Sequence, residues 1–334
     1  MTYDIIIIGA GPAGISMAVE ALSSGVPKDK VLVLEKASEH SFTIKKFYPD
    51  KKLVTANYKG FEAVCIGVMC IWDSSKSETI TYLDEAIKQN GINVHYHETV
   101  WKLDKNYDTG EFTVITDKGE YKSKVTAIAI GILGKPNKPD YPIPATIKDK
   151  ILFDVTSVEV KNSKVLVVGG GDSASEYCQY LSQEGNEVTL SYRRTDLKRM
   201  NFINRDSLLA LEKDGKVKLH LGTDIDAVSS VEGKPAISYK GRDDVYESYD
   251  YIVYALGGTT PVNFLKLIGI EFNGPDPVLG EEYETNVPGL FLIGDLSAGT
   301  KGGSINWAFN SSRRAMQKIC VDYLHCPPPA EDQQ

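Results

Sequence analysis

The first residues whose spacing suggests chemistry are three glycines near the N-terminus. Gly9, Gly11 and Gly14 have the pattern G-x-G-x-x-G and directly follow an apolar run at 3–8. In a strand–loop–helix unit, such glycines allow a tight turn, close approach of the backbone to a diphosphate, and close packing of helix on strand. The helix N-terminus adds positive partial charge. The sequence therefore predicts a dinucleotide site, with a helix over 13–22.

An acidic residue follows where a ribose would be recognised. The apolar run 31–34 predicts the next strand, and it ends on Glu35. This carboxylate lies about twenty residues after the glycines, the spacing at which an acid accepts a hydrogen bond from a ribose 2′-hydroxyl. The order of strand, loop, helix, strand and acid favours a nucleotide site over the alternative that the glycines only form a tight backbone turn.

The same order of elements recurs in the middle of the chain. An apolar run at 165–168 leads into Gly169-Gly170-Gly171-Asp172-Ser173-Ala174, and a second run follows at 188–192. This second run ends on Arg193 and Arg194, with Lys198 and Arg199 close behind. Guanidinium groups pair with a 2′-phosphate through charge-assisted hydrogen bonds, so the second site is predicted to prefer NADPH to NADH. The alternative is a solvated charge cluster.

Bulk properties agree with a globular, two-domain protein. The chain has 334 residues, of which 42% are hydrophobic and 25% charged, a composition typical of globular proteins. The net charge of -8 argues against general affinity for nucleic acid. No signal peptide or membrane span is expected. Five cysteines without the spacing of a disulfide framework suit a reducing compartment, so we expect a cytoplasmic protein.

Three segments together carry a family resemblance. Gly289-Leu290-Phe291-Leu292-Ile293-Gly294-Asp295, the first glycine loop and Ala129-Ile130-Gly131 resemble the FAD fingerprints of the two-domain flavoprotein reductases related to bacterial thioredoxin reductase. The resemblance implies an α/β fold with two Rossmann-like domains, the second inserted in the first. It places a discontinuous FAD domain at 1–134 and 260–334, an NADPH domain at 135–259, and the whole in a homodimer.

The resemblance also assigns roles to individual residues. Gly294 lets the backbone approach the flavin diphosphate, Asp295 bonds the ribityl chain, and a helix from Ser304 and Ile305 to about residue 321 faces the flavin ring. Tyr48 stacks on the flavin or is a buried structural residue. We expect no catalytic side chain and no metal. The predicted FAD residues are Gly9, Gly11, Pro12, Ala13, Gly14, Glu35, Lys36, Tyr48, Ala129, Gly131, Gly294, Asp295, Ser304 and Ile305; the predicted NADPH residues are Gly169, Gly171, Asp172, Ser173, Ala174, Arg193, Arg194, Arg199 and Gly257.

The cysteines depart from the thioredoxin reductase pattern. Those enzymes carry Cys-x-x-Cys shortly before the second glycine loop, but residues 131–169 contain no cysteine. Cys65 and Cys70 have the gap used by the glutathione reductase class, in a different context. The run 61–72 instead predicts an apolar strand, in which residues five apart point to opposite faces. A redox-active pair is therefore disfavoured, and Cys178 is predicted to be a core residue.

The electron acceptor is the most open question. Lys46-Phe47-Tyr48, Tyr141-Pro142-Ile143-Pro144 and the connector 134–139 resemble flavodoxin/quinone reductases and thioredoxin-reductase-like ferredoxin/NADP reductases, which implies flavodoxin, ferredoxin or quinone as acceptor. A basic patch of Lys45, Lys46, Lys51, Lys52 and Lys59 is a candidate docking surface, with a solvated loop as the alternative. Three other functions stay open: a disulfide reductase of the thioredoxin or bacillithiol disulfide type, a flavin monooxygenase, and a non-enzymatic FAD/NADPH sensor.

Overall fold

The computed structural model describes residues 2–48, 53–54, 64–132, 136–155, 157–200, 202–257, 262–298 and 304–329. The chain forms two compact units. Unit 1 consists of Met1–Lys45, Leu53–Ile132 and Thr260–Gln334, and unit 2 consists of Lys46–Lys52 and Leu133–Thr259.

Short strands alternate with helices along most of the chain. The strands are β1 Thr2–Ile8, β2 Val31–Leu34, β3 Leu53–Val54, β4 Ser74–Ser75, β5 Val94–His95, β6 Val100–Lys105, β7 Phe112–Thr116, β8 Glu120–Ile128, β9 Ile151–Leu152, β10 Lys164–Val168, β11 Glu187–Tyr192, β12 Val217–Leu221, β13 Ile225–Val231, β14 Lys234–Tyr239, β15 Arg242–Ser248, β16 Tyr251–Tyr254, β17 Phe272–Asn273, β18 Asp276–Pro277 and β19 Leu290–Leu292. The α-helices are α1 Pro12–Ser23, α2 Phe42–Phe47, α3 Lys76–Asn90, α4 Asp172–Gln183, α5 Phe202–Lys213, α6 Val262–Leu267, α7 Asp295–Ala298 and α8 Ile305–Ile319, which continues into a π-helical turn, Cys320–Leu324.

Unit 1 is organised by a seven-stranded mixed sheet. Its strand order is β5-β2-β1-β8-β7-β6, and β19 pairs with β8. β1 runs parallel to both β2 and β8, so the chain leaves β1 toward one side of the sheet and returns on the other. Such a reversal opens a crevice at the carboxyl ends of the strands, where open α/β sheets bind their ligands. The glycine loop after β1 lies at this place.

Unit 2 repeats the arrangement with a five-stranded sheet. The order is β12-β11-β10-β16-β9, with all neighbouring strands parallel. A separate antiparallel sheet, β13-β14-β15, completes this unit. The second glycine loop follows β10, whose neighbours are β11 and β16, so it also lies where the strand order reverses.

The central strands form because their side chains are apolar on both faces. Ile5, Ile6 and Ile7 of β1 are completely buried, as are Val165, Leu166 and Val167 of β10. β-branched residues buried on both sides are typical of parallel strands covered by helices. The predicted elements around both glycine loops are therefore confirmed, with boundaries shifted by one or two residues.

The predicted apolar strand over 61–72 is wrong for the residues that the structure describes there. Residues 61–63 lie outside the described residues, and 64–72 contain no strand. Their backbone groups bond to side chains: Ile71 and Ile66 each donate an N–H to an asparagine of α8, Asn306 and Asn310 respectively. Since these side chains supply the partners that a neighbouring strand would offer, the segment needs no sheet.

Candidate cofactor-binding sites

The first glycine loop is held by close contacts that only glycine permits. Gly9 has φ +107°, and a Cβ atom there would lie 2.6 Å from the carbonyl oxygen of Ala129 at the end of β8. A Cβ on Gly14 would lie 1.9 Å from the carbonyl oxygen of Gly9. The first contact joins the ends of β1 and β8, and the second presses α1 onto the loop. These two glycines therefore set the shape of the crevice.

Gly11 differs because the space beside it is open. The nearest atom to a Cβ placed there is 4.0 Å away. Gly11 is also the N-cap of α1, and no side chain caps this helix end. By contrast, Ser75 and Glu78 form a complete capping box on α3. The first turn of α1 thus offers uncapped backbone N–H groups beside open space, which fits a diphosphate.

Glu35 is fixed next to this loop by two backbone amides. One carboxylate oxygen accepts a hydrogen bond of 2.8 Å from the N–H of Ala10, and the other accepts one of 2.8 Å from Ala37. The side chain is 9% exposed. A carboxylate has about four lone-pair sites, so acceptor capacity remains for ribose hydroxyls. The predicted acid therefore lies beside the first glycine loop and helps to hold its shape.

The two other predicted fingerprints meet the loop in the same unit. Gly131 has φ +65°, and no atom of the described residues lies within 4 Å of a Cβ placed there. Gly294 has φ +71°, and a Cβ on it would lie 2.8 Å from the Cβ of Ala13 on α1. The ends of β8, β19 and the start of α1 therefore converge on one crevice, as the resemblance implied.

Asp295 carries an acceptor group that no described partner uses. Among the described residues, no hydrogen bond or ion pair involves its carboxylate. Desolvation by the surrounding protein raises the pKa of Asp295 above its ordinary value of 3.8. A desolvated acceptor of this kind costs free energy until a donor reaches it. The hydroxyl groups of a ribityl chain are suitable donors.

Helix α8 supports the crevice through residues that the sequence analysis missed. Ser311 Oγ accepts a hydrogen bond of 2.9 Å from the N–H of Gly294, and Ser312 Oγ donates one of 2.9 Å to the carbonyl oxygen of Ala13. Both serines are completely buried. Ser304 is the N-cap and accepts from the N–H of Trp307. A pair of serines on the buried face of an amphipathic helix was the available signal.

The second glycine loop, in unit 2, reproduces the first. Gly169 has φ +155°, and a Cβ there would lie 2.4 Å from the carbonyl oxygen of Ala255, at the end of β16. Gly171 is the uncapped N-cap of α4, and no described atom lies within 4 Å of a Cβ placed on it. Gly257 has φ +77° and accepts a hydrogen bond from Asn137. This loop therefore also fits a diphosphate.

The arginines that follow β11 are available to a ligand. Arg193, Arg194 and Arg199 are all exposed. None of the salt bridges formed among the described residues involves them, whereas Lys198 pairs with Asp196 at 3.0 Å. Arg193 occupies the place after β11 that Glu35 occupies after β2. A cationic group thus stands where the first unit has an acid.

The remaining predicted residues are less informative. Pro12 opens α1, Asp172 and Ser173 open α4, Ala174 is buried in that helix, and Lys36 is exposed. Tyr48 is half-buried. In the proposed docking patch, Lys45 pairs with Glu39 at 2.7 Å. Lys46 lies over the ring of Phe47. Lys51, Lys52 and Lys59 lie outside the described residues.

The cysteines overturn one expectation and confirm another. Disulfides join Cys65 to Cys70 and Cys320 to Cys326, so the prediction of no disulfide framework is wrong for these four residues. Cys65 and Cys70 were expected to point apart on a strand, but the segment between them turns instead. Cys178 is completely buried on α4, as predicted.

A model of the pyridine nucleotide-disulphide oxidoreductases matches residues 6–294, a span that contains both glycine loops. The chain belongs to this family. A ferredoxin-NADP reductase of Ignicoccus hospitalis is 30% identical over 310 residues, which cover 89% of this chain and 91% of the relative. Family membership confirms the prediction of an NAD(P)H-dependent flavin oxidoreductase that uses FAD and NADP(H).

Two solved structures illustrate the fold. The bacillithiol disulfide reductase of Staphylococcus aureus superimposes with a TM-score of 0.77 at 22% identity, covering 96% of this chain and 100% of the other. The thioredoxin reductase of Lactococcus lactis gives 0.76 at 23% identity, covering 94% and 96%. They confirm the predicted α/β fold with two Rossmann-like domains. Within the described residues, no helix has the length and apolar character needed to cross a membrane.

Proposed function

We propose that this protein oxidises NADPH by way of bound FAD and exchanges the electrons with a ferredoxin or a flavodoxin. The observation that carries the proposal is the similarity to ferredoxin-NADP reductases along most of the chain, exemplified by the Ignicoccus hospitalis protein. The relative in Nitrobacter hamburgensis has the same name and is 28% identical over 302 residues.

FAD is proposed to occupy the crevice of unit 1, and NADPH that of unit 2. The proposed FAD domain comprises 1–134 and 260–334, and the NADPH domain comprises 135–259. In the first, Gly11 and the uncapped N-terminus of α1 hold the diphosphate, Glu35 holds the ribose, and Asp295 holds the ribityl chain. When bound, FAD supplies the capacity to take a hydride and release electrons singly. The protein side chains bind, orient and exclude water.

The preference for NADPH rests on Arg193 and Arg194. Both side chains are exposed and follow directly after β11, at the position where an acid would select an unmodified ribose. A guanidinium group offers paired N–H donors that match phosphate oxygens. Arg199 adds a third cation to the same short stretch of chain. The 2′-phosphate of NADPH is therefore the expected ligand of this cluster.

A thioredoxin-type reaction has less support because unit 2 lacks the necessary dithiol. Between residues 133 and 259 the sequence contains one cysteine, Cys178. That side chain is completely buried, and desolvation raises the pKa of its thiol. A thiol that is both inaccessible and difficult to ionise does not exchange with a disulfide. The absence of a relay in this domain favours an acceptor that takes electrons directly.

The charge of the proposed acceptors predicts that their docking on this protein depends on electrostatic attraction. Ferredoxins and flavodoxins are acidic, and this protein has a net charge of -8, so a local basic surface is needed for productive docking. Within the predicted patch, Lys46 is exposed, and Lys45 pairs with Glu39. We propose this region as the docking surface. The homodimer and the cytoplasmic location remain predictions.

The test is anaerobic stopped-flow absorbance in two mixes. The first mix combines the purified FAD-loaded protein with NADPH or NADH and follows bleaching of the flavin. We expect NADPH to bleach it much faster. The second mix adds ferredoxin, flavodoxin, a quinone or a thiol disulfide, and the fastest reoxidation identifies the acceptor. Reoxidation by ferredoxin or flavodoxin that slows as salt rises supports the proposal.

Other outcomes would contradict specific parts of the proposal. A flavin that stays oxidised with NADPH would overturn electron entry through unit 2. Rapid reduction followed by reoxidation only with a thiol disulfide would replace the acceptor and favour a disulfide reductase. A Lys46→Glu variant that is reduced by NADPH and transfers electrons to ferredoxin at the wild-type rates would contradict the proposed docking surface but not the proposed reaction.

A further inference from the structure

In unit 2, the backbone that leaves β16 is held by one asparagine. Asn137 donates its backbone N–H to the carbonyl oxygen of Gly257 at 2.9 Å, and its side-chain amide donates to the carbonyl oxygen of Leu256 at 3.2 Å. Asn137 and Leu256 are 119 positions apart in the chain. Gly257 has φ +77°, which a non-glycine residue adopts only with strain. Two hydrogen bonds from a distant residue therefore fix a turn that its own sequence leaves flexible.

The turn held by Asn137 lies beside the second glycine loop. β10 and β16 are parallel neighbours, with Val168 paired with Tyr254 at their carboxyl ends. The next residue after β16, Ala255, donates its backbone N–H to the carbonyl oxygen of Val168 at 2.8 Å. The first residue of the loop, Gly169, packs against Ala255 so closely that a Cβ atom would not fit. The ends of both strands therefore border the same crevice.

The strand order indicates which half of a dinucleotide lies over β16. β10 has β11 on one side and β16 on the other. A dinucleotide lies across such a reversal of strand order, with its diphosphate at the glycine loop and its two halves on opposite sides. If the 2′-phosphate binds Arg193 and Arg194 after β11, the nicotinamide half extends over the end of β16. This placement rests on the proposed NADPH site of unit 2.

The side chain of Asn137 has an acceptor to offer at this place. A primary amide has two N–H donors and one carbonyl oxygen. The nitrogen donates to Leu256, whereas no hydrogen bond among the described residues involves Oδ1. Asn137 is partly exposed, and a Cβ atom placed on Gly257 would meet only this amide nitrogen, at 3.9 Å, among the described residues. An oriented amide oxygen therefore stands at the crevice with room beside it.

We propose that Asn137 binds and orients the nicotinamide half of NADPH. Its Oδ1 accepts a hydrogen bond from that half, whose donors are the carboxamide NH2 group and the ribose hydroxyls. Because the bonds to Leu256 and Gly257 hold the residue before the coenzyme arrives, little conformational freedom is lost on binding. A hydrogen bond to this half restrains the ring from which the hydride leaves, which favours transfer by fixing orientation.

The experiment compares a whole coenzyme with its adenosine half. Isothermal titration calorimetry of the intact, FAD-loaded protein measures the Kd of NADP+ and that of 2′,5′-ADP, which has the adenosine and the 2′-phosphate but no nicotinamide. Asn137→Ala keeps the backbone N–H that bonds Gly257 and removes the amide oxygen. We expect the Kd of NADP+ to rise about fivefold, as the loss of one hydrogen bond implies. The Kd of 2′,5′-ADP should stay within about twofold of wild type.

The adenosine half also separates binding from a purely structural role. Asn137→Ala removes the hydrogen bond to Leu256, so the turn after β16 loses one of its two supports. If the damage spread to the neighbouring glycine loop, the phosphates bound there would be held less well, and 2′,5′-ADP would bind more weakly too. Asn273→Ala, an exposed asparagine of unit 1, is the control for the chemical change and should alter neither Kd.

A third ligand shows which donor Asn137 receives. The 3-acetylpyridine analogue of NADP+ has a methyl group in place of the carboxamide NH2, so it lacks that donor. If the carboxamide is the partner, the wild type should bind the analogue about fivefold more weakly than NADP+, and Asn137→Ala should bind both equally. If a ribose hydroxyl is the partner, Asn137→Ala should weaken both ligands by the same factor. Either pattern supports the proposal.

The contrary outcomes separate this inference from the proposed NADPH site. An unchanged Kd of NADP+ in Asn137→Ala, with wild-type binding of both ligands intact, would overturn the role of Asn137 and leave the site in unit 2 standing. Equal losses for NADP+ and 2′,5′-ADP would also overturn it, because the residue would then act only on the fold of the crevice. A wild-type protein that binds neither ligand would overturn the NADPH site itself.

Discussion

The carboxylate of Glu35 accepts a hydrogen bond of 2.8 Å from the backbone N–H of Ala10, inside the first glycine loop. Its other oxygen accepts from the N–H of Ala37 at the same distance. The acid predicted to recognise a ribose therefore also ties the loop after β1 to the end of β2. Loop geometry and the predicted recognition of a ribose therefore depend on one side chain.

Glu35→Gln should consequently affect both stability and cofactor binding. An amide keeps one acceptor but presents its NH2 group to the N–H of either Ala10 or Ala37, which leaves a buried donor unsatisfied. We expect the free energy of unfolding of the apoprotein to fall by about 1–3 kcal/mol, measured by urea denaturation. FAD titration should show weaker binding. Glu39→Gln, an exposed change nearby, is the control and should alter neither quantity appreciably.

The two N-cap glycines allow the cofactor sites to be weakened separately. Gly11 and Gly171 have space for a Cβ atom, with no described atom closer than 4.0 Å. Gly11→Ala and Gly171→Ala should therefore fold normally, while the added methyl group keeps a diphosphate from the backbone. We expect Gly11→Ala to lower FAD affinity and Gly171→Ala to raise the KM for NADPH, each with little effect on the other site.

The control for this pair is Gly14→Ala. Its Cβ would lie 1.9 Å from the carbonyl oxygen of Gly9, a clash of backbone with backbone that the fold cannot relieve cheaply. This variant should be destabilised before any cofactor is added, as thermal denaturation of the apoprotein would show. If Gly11→Ala were destabilised to the same extent, the open space beside Gly11 would not be a ligand site.

The sequence predicted the local units well because their signals are local. β1, the loop and α1 lie within about twenty residues, and the pattern of buried isoleucines followed by spaced glycines has few structural solutions. The same holds for β10 and α4. The sequence also predicted that arginines follow β11 where an acid follows β2, because this difference depends only on position along the chain.

The features that the sequence did not reveal depend on contacts between distant residues. The segment 64–72 resembled a strand because its composition is apolar, but its backbone is bonded by Asn306 and Asn310, more than two hundred positions away in the chain. The support of Gly294 by Ser311 is likewise a tertiary contact. Hydrophobic periodicity carries no information about such partners, so tertiary context overrides the local preference.

The arginines after β11 should determine coenzyme preference. Replacing Arg193 and Arg194 together by alanine removes the charge-assisted hydrogen bonds expected to reach the 2′-phosphate. We expect kcat/KM for NADPH to fall by roughly 10- to 100-fold, as the loss of about 1.5–3 kcal/mol of binding energy implies. The value for NADH, which has no such phosphate, should change little. Steady-state reduction of an artificial acceptor measures both.

Arg205→Ala is the matched control for this double variant. Arg205 is exposed on α5 and is already paired with Asp206 at 3.1 Å, so its removal should leave the preference unchanged. The salt dependence gives a second readout, since the KM for NADPH should rise with ionic strength in the wild type and respond less in the double variant. Parallel losses with NADPH and NADH would show that the arginines act on folding or on the common part of the coenzyme.

The desolvated carboxylate of Asp295 is predicted to lower the stability of the folded apoprotein in a pH-dependent way, and bound FAD should relieve this cost. Its pKa is raised in the folded apoprotein because the surrounding protein desolvates the carboxylate. Below the ordinary value of 3.8, the group is protonated in both folded and unfolded states and costs nothing. As the pH rises through the raised pKa, the folded apoprotein loses stability relative to the unfolded chain, and the loss is complete above that pKa.

Asp295→Asn removes this penalty, since an amide does not titrate. We expect the apo variant to be more stable than the wild-type apoprotein at pH 7, and the difference to shrink as the pH is lowered toward 4, in urea denaturation at matched ionic strength. FAD should bind the variant less tightly, because the carboxylate is a stronger acceptor for ribityl hydroxyls than an amide oxygen. Asp108→Asn, in an exposed turn, controls for the change in net charge. A stability difference that is the same at pH 4 and pH 7 would show that Asp295 acts through packing and not through its charge.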